Sequence, residues 1–178
     1  NKMLYELLAA FRSVQAGAPG LRLLFAGEER EAEYALSRRI AQWWPDGSGP
    51  QVTGYLEATD LDALLDRADL SFVLRYPTYG ESSGMLPRAA LGGGRVVTVD
   101  IGAYPEFISP RVSTVSVGPG LAEALADTMR DLAAEPPVDP ERRERLRQDE
   151  AQRQQALSLA ALAPQWQSWL QACRAATT

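Results

Sequence analysis

The feature that most constrains this chain is alternation. Five short apolar runs, Leu21–Ala26, Gln51–Tyr55, Leu70–Leu74, Val96–Val99 and Val112–Val117, are separated by stretches of helical periodicity or by turns. Runs this short, bounded by glycine, proline or acidic residues, read as buried strands. Between them, Leu4, Leu7, Leu8, Phe11 and Val14 recur at helical spacing until Gly17 and Pro19 stop the pattern. Glu29–Trp44 is helical in pattern and closes at Trp43-Trp44-Pro45, with a turn cluster over Asp46–Pro50. Thr59 or Asp60 is placed to cap a helix with Leu61, Leu64, Leu65 and Ala68 on one face. Met85–Leu91 fits a helix ended by Gly92–Gly94, and Leu121–Ala133 is helical. Strands alternating with helices predict βα units on a parallel sheet, an α/β, Rossmann-like fold with helices on both faces. In such sheets ligands bind beyond the carboxyl ends of the strands. The informative loops are therefore 27–28, 54–58, 75–84 and 100–106.

Composition narrows the chemistry. The chain has 178 residues, a one-domain length, and at 46% hydrophobic it can build a core without disulfides. Cys173 is its single cysteine, so no internal bridge forms. That usage, with no basic-then-apolar leader in view, sets the expectation of a cytoplasmic protein. No apolar run approaches the roughly 18 residues of a membrane-spanning helix. A net charge of -5 argues against a general nucleic-acid binder, though not against a local cationic pocket for one phosphate ligand. The absence of histidine removes Ser-His and Cys-His nucleophile pairs and histidine-ligated metals. Chemistry must then rest on carboxylates, arginines, hydroxyls, backbone groups or the substrate. Lys2 is the only lysine.

The tail has another character. Pro136, Pro137 and Pro140 break the chain, Glu141–Leu162 reads as one charged helix, and Trp166, Trp169, Leu170 and Cys173 form a stripe after Pro164. Arg142, Arg143, Arg145 and Arg147 alternate with Glu141, Glu144 and Asp149, which predicts a solvated helix rather than a lipid patch. The expected organisation is a Rossmann-like domain over 1–135 and a helical extension over 136–178.

The segment Leu74-Arg75-Tyr76-Pro77-Thr78-Tyr79-Gly80-Glu81-Ser82-Ser83-Gly84-Met85 carries the most chemistry. A strand ends, a loop presents a carboxylate, and Ser-Ser-Gly starts a helix. Free N–H groups at a helix start favour phosphate, and Gly84 would let a ligand approach the backbone. Glu81 is placed to accept hydrogen bonds from sugar hydroxyls. A loop merely capped by Ser83 explains the same residues. Asp60-Leu61-Asp62 looks like an acidic metal motif, but it opens an amphipathic helix, where acidic residues simply favour the dipole. Glu28, Glu29, Glu31 and Glu33 read as a solvated helix start by the same logic. Arg75 could meet phosphate or pair with Asp100 or Glu81, and Glu106 could line the cleft or serve structure.

In order and spacing, Pro77-Thr78, Glu81, Gly84, Gly92–Gly94, Val96-Val97, Asp100, Gly102 and Glu106 resemble the C-terminal, donor-binding domain of a retaining GT-B glycosyltransferase, similar to family 4 (glycosyl transferases group 1). Gly27, Val52-Thr53-Gly54-Tyr55 and Asp60–Asp69 extend the likeness, which covers residues 1 to about 134. The resemblance implies half of a GT-B fold, a nucleoside diphosphate sugar donor, no cofactor and no obligatory metal. It implies that Glu81, the catalytic candidate, binds donor sugar hydroxyls and that Lys2 contacts the diphosphate. The Ser83, Gly84 and Met85 amides would hold phosphate, with Arg75, Thr78 and Ser82 in the same donor-binding set. Gly54 and Tyr55 would lie near the nucleobase. The acceptor would be bound by an N-terminal domain, and peripheral membrane association of the parent fits the same reading.

Three departures stand out. Position 89, where the family places a second, ribose-holding glutamate, is Ala89, and Arg88 beside it would point elsewhere on the helix. Ser82-Ser83 replaces the common Gly-Phe. The family's first strand, with the arginine after it, has no counterpart here. That predicts about five strands, with either a gap filled by another segment or an exposed edge. The rival functions are a non-catalytic nucleotide-sugar-binding or regulatory domain and a sugar-nucleotide epimerase.

Overall fold

The computed structural model describes residues 2–29, 35–80, 83–136 and 138–175. The elements run α1 (Leu4–Val14), β1 (Leu24–Phe25), α2 (Leu36–Trp43), β2 (Gln51–Val52), α3 (Ala58–Arg67), β3 (Leu70–Val73), α4 (Met85–Leu91), β4 (Arg95–Val99), β5 (Val112–Val115), α5 (Leu121–Ala134), α6 (Pro140–Ala156) and α7 (Leu159–Ala175). Every ladder between these strands is parallel, as the alternation of elements requires. The α/β, Rossmann-like architecture with a helical extension is thus present.

The sheet is split. Among the described residues β1 pairs with β2 alone, and β3, β4 and β5 form a second sheet in that order. The inner edges of β1 and β3 border one cavity of about 2280 Å³, lined by Leu23–Phe25 on one side and Leu70–Leu74 on the other. The five strands are as expected, and the sheet is interrupted between β1 and β3.

The core follows the apolar periodicity. Leu7, Leu8, Phe11 and Val14 form the buried face of α1, and Leu121, Leu125, Ala126 and Met129 that of α5. These two helices pack on each other more extensively than any other pair. β4 is the most deeply buried strand, with Val96, Val97, Thr98 and Val99 all at most 2% exposed. Thr98 is tolerated there because its hydroxyl donates to the Val73 carbonyl at 2.9 Å.

The turn after α4 shows why three glycines stand in a row. A Cβ on Gly92 would lie 2.7 Å from the Leu65 carbonyl oxygen, on Gly93 2.4 Å from that of Asp66, and on Gly94 2.2 Å from that of Ala68. The end of α3 therefore lies directly against this turn, an approach that any side chain would block. Arg111, 5% exposed, closes the turn from the other side. Its Nε donates to the Gly94 carbonyl at 3.1 Å, and its Nη2 donates to the carbonyls of Gly92 and Gly94.

The tail departs from the sequence reading. The run 141–162 is two helices, broken at Leu157-Ser158. Asp139 caps the first, its carboxylate accepting from the Arg142 amide at 3.2 Å, with Pro140 at the first helical position. Pro164 lies inside α7, not before it. Nor is α6 simply solvated. Arg143 donates to the Asp66 and Ala68 carbonyls, both at 3.1 Å, and pairs with Asp69 at 2.6 Å. Arg153 donates to the Ile108 carbonyl at 2.6 Å, and Gln154 to that of Pro87 at 2.9 Å. These five interactions tie α6, which carries few apolar residues, to the rest of the domain. Farther on, Trp166 and Trp169 are each 59% exposed and meet edge to face.

Two helix starts also differ from the sequence reading. α3 begins at Ala58 after Glu57, with no side-chain cap, so Thr59 and Asp60 lie in its first turn. Glu29 is outside a helix and ties down the start of α2, accepting from the Ser37 amide at 2.9 Å and from its hydroxyl. Those bonds, the hydroxyl's first, hold its carboxyl below the usual glutamate range. Glu31 and Glu33 lie outside the described residues.

Candidate functional site

The loops after β1, β2 and β3 gather at the carboxyl ends of the strands. Gly27 and Gly54 form an isolated bridge, with φ of 130° and 73°, conformations that favour glycine. The Gly27 amide donates to the Thr53 hydroxyl at 3.1 Å, and that hydroxyl donates to the Gly54 carbonyl at 2.8 Å. The ring of Tyr55, next in sequence, is 70% exposed.

On the β3 side, Arg75 and Lys2 are brought together. The Lys2 ammonium titrates below the usual lysine range, first because surrounding protein shields it from water, then because the Arg75 guanidinium repels it. Lys2 remains exposed overall, and it lines the mouth of the cavity with Gly27, Thr53 and Met85. The Arg75 charge disfavours the protonated form of Lys2, and an anion held nearby would offset that repulsion.

The loop 75–84 is supported from beneath. The Tyr76–Pro77 peptide bond is cis. The Gly80 amide donates to the Thr78 hydroxyl at 3.3 Å. Gly102, at φ 61°, lies close under both residues, since a Cβ there would be 3.4 Å from the Thr78 methyl and 3.9 Å from the Gly80 Cα. The loop after β4 thus carries the loop after β3. Asp100 is engaged with the Ser116 hydroxyl at 2.6 Å, and Glu106 is exposed on a single 3₁₀ turn, Tyr104–Phe107.

At the start of α4, Gly84 is the N-cap, and no side chain caps the helix. The capping role considered for Ser83 is thus not the one it plays. Its carbonyl instead accepts from the Leu86 amide at 3.2 Å. Among the described residues no heavy atom lies within 4 Å of a Cβ built on Gly84, so none of them blocks approach to the backbone there. Glu81 and Ser82 lie outside the described residues. Arg88 points away from this region, to Asp62 at 2.6 Å and to the Ala58 carbonyl at 2.6 Å. The pairing draws Asp62 below the usual aspartate range and removes it from the metal motif considered above. Ala89 is 2% exposed and packs in the core.

Sequence reasoning singles out these loops and cations separately, while the influence of Arg75 on Lys2 emerges only in three dimensions. Arg111 and Arg143 carry no sequence signal beyond their charge. Their carbonyl partners belong to turns distant in the chain.

Among the described residues no helix is long and apolar enough to cross a membrane. No match to a curated protein is found. Among solved structures, sucrose-phosphate synthase from Thermosynechococcus elongatus superposes with a TM-score of 0.65 at 24% identity, over 98% of this chain and 43% of that one. AviGT4, a glycosyltransferase involved in avilamycin A biosynthesis, gives 0.55 at 23% identity, over 85% of this chain and 43% of that one. At these identities the likeness speaks for the fold, and the chain spans less than half the length of either protein. The family model of glycosyl transferases group 1 matches residues 1–153, most of the chain. With that match over a parallel α/β fold, this chain belongs to the glycosyl transferases group 1 family.

Proposed function

We propose that this domain binds a nucleoside diphosphate sugar and supports transfer of its sugar to an acceptor, as the C-terminal half of a retaining enzyme similar to glycosyltransferase family 4. The observation that carries the reading is Lys2, which lines the cavity and feels the charge of Arg75, two residues beyond the end of β3. Two adjacent cations suit a diphosphate better than a neutral ligand. Gly84 is open to close approach, and the Ser83, Gly84 and Met85 amides are the proposed phosphate donors. Glu81 is the proposed partner of the sugar hydroxyls, Thr78 and Ser82 complete the loop, and Gly54 and Tyr55 flank the base.

In the transfer we propose, the anomeric C–O bond to the diphosphate breaks. A new C–O bond to the acceptor hydroxyl forms on the same face, and the hydroxyl proton passes to the leaving diphosphate oxygen. Lys2 and Arg75 then stabilise the charge that develops on the leaving group. No metal is needed for that balance. An acceptor-binding domain completes the enzyme, so the domain by itself binds donor without turning it over.

The test is calorimetric titration with UDP-, GDP- and ADP-sugars and the free nucleotides. The native chain is expected to prefer one base. Lys2→Ala should weaken binding of sugar nucleotide and free nucleotide alike by about tenfold or more, the scale of one charge-assisted bond. Glu81→Ala should remove only the preference for the sugar-bearing form, and unchanged sugar preference would release Glu81 from its role. Binding of none of these ligands would favour a non-catalytic domain. Ala89 supports that second reading, because its buried position in the core offers no carboxylate to a ribose.

A further inference from the structure

The loop 75–84 rests on two supports, and one turn of α6 holds both. The first support is α4, which follows the loop directly. It has seven residues and no side-chain cap at its start. A helix that short is marginal in water by itself, so its direction is set by what packs on it. α6 packs on it more extensively than any other helix does. The second support is the loop after β4, whose Gly102 lies under Thr78 and Gly80.

Gln154 donates to the carbonyl of Pro87, in the first turn of α4, at 2.9 Å. Its neighbour Arg153 donates at 2.6 Å to the carbonyl of Ile108, the residue that ends the 3₁₀ turn after β4. Glu150 accepts from Gln154 at 3.2 Å, and its charge acts on Arg111, which holds the Gly92 and Gly94 carbonyls beyond the other end of α4. Glu150, Arg153 and Gln154 stand three and four residues apart, so they share one face of α6. That face grips the start of α4, borders the turn behind it, and ties down the loop that carries the segment 75–84.

Packing alone does not account for this face. Glu150 is 8% exposed and, among the described residues, is the one buried residue of α6. A buried carboxylate costs stability unless it is bonded, and an apolar residue carries no such cost. Directional bonds instead fix one register between α6 and the backbone it meets, where an apolar face tolerates several.

We infer that Gln154 and Arg153 are positioning residues for the donor site: through the Pro87 and Ile108 carbonyls they set how α4 and the loop after β4 present the segment 75–84 to the ligand. Neither side chain lines the cavity, and each acts through the backbone it holds. The inference rests on the donor-binding proposal above.

The experiment combines amide hydrogen exchange without nucleotide and calorimetric titration with the UDP-, GDP- and ADP-sugars. It uses the native chain, Gln154→Met, Arg153→Met and, as a control, Gln148→Leu, an exposed residue of α6 bonded to Glu144 of the same helix. In Gln154→Met the amides of Leu86 and Ala89 should exchange about threefold faster or more, the scale of one neutral hydrogen bond. Affinity for the sugar nucleotide that the native chain prefers should fall by about threefold to tenfold in both Gln154→Met and Arg153→Met. Arg153→Lys, which keeps a donor for Ile108, should restore most of it, and Gln148→Leu should change neither readout. Loss of one such bond leaves nearly every molecule folded, so unfolding does not produce the drop. Unchanged exchange at both amides in Gln154→Met would overturn the inference. So would faster exchange with native donor affinity, since the bonds would then serve stability alone. The native titration by itself decides the donor-binding proposal, whereas the comparison of variants with native decides the positioning role.

Discussion

Replacing Arg111 with methionine tests how the turn beneath α4 is held. Methionine keeps an unbranched stem of similar reach and removes the guanidinium, which leaves the Gly92 and Gly94 carbonyls without their donor in a site 5% exposed. A buried acceptor left unmade costs about 1–3 kcal/mol. Two such acceptors bring the loss to about 2–6 kcal/mol. Part of it is offset, because burial disfavours the charged guanidinium in the native protein and draws Arg111 below the usual arginine range. Attraction to Glu150 works the other way, and the substitution removes it. The expected net loss is about 3 kcal/mol, a large share of the 5–15 kcal/mol that holds a domain of this kind. Urea unfolding followed by tryptophan fluorescence should show the midpoint falling by about 1–2 M, given a slope near 2 kcal/mol/M. Adding Glu150→Gln should recover part of the loss. A loss under about 0.5 kcal/mol in the single variant would mean that the turn keeps its geometry without the arginine, and the role assigned to it would be wrong.

Four further substitutions separate packing, ligand approach, surface charge and a buried hydroxyl. Gly94→Ala drives a Cβ to 2.2 Å from a backbone oxygen and should destabilise the fold by about 1–3 kcal/mol in the same urea assay. Gly84→Ala meets nothing within 4 Å among the described residues and should stay within about 0.5 kcal/mol of native while weakening donor binding in calorimetry. Equal donor affinity would show that no ligand approaches there. Arg88→Ala breaks a pair whose side chains are 34% and 58% exposed, so its effect on stability should be below about 1 kcal/mol and donor affinity should not change. Tyr104 is 1% exposed and its hydroxyl has no partner among the described residues, so Tyr104→Phe should leave the thermal midpoint unchanged or raise it.

Much of the fold is legible because periodicity is a local signal. The strand at Leu70, the helix at Met85 and the strand at Val96 are bounded by residues that stop them, and the structure places them within a residue or two. What is not legible depends on partners far along the chain. The role of Gly92–Gly94 follows from the carbonyls of Leu65, Asp66 and Ala68, and alternating charges over 141–149 do not announce that Arg143 reaches those same turns. The break at Leu157 is invisible to composition, because helix-forming residues lie on both sides of it. At the site, the sequence singles out Lys2 and Arg75 separately. That the Arg75 charge reaches Lys2 depends on how the chain folds, since the two lie 73 residues apart in sequence.

The Lys2–Arg75 pair carries a thermodynamic signature. Its repulsion, with the shielding around Lys2, lowers proton affinity in the free protein. An anion settling between the two raises it again, and any process that raises a proton affinity takes up protons where the two forms differ. Uptake is absent at low pH, where Lys2 is protonated with or without ligand. It begins as pH climbs through the depressed Lys2 value, and over the same window anion affinity falls. In calorimetry the observed heat there should shift with the ionisation enthalpy of the buffer, and Lys2→Ala should silence the shift. An anion site at this strand end thus reports its own occupancy as a flux of protons, with no label attached.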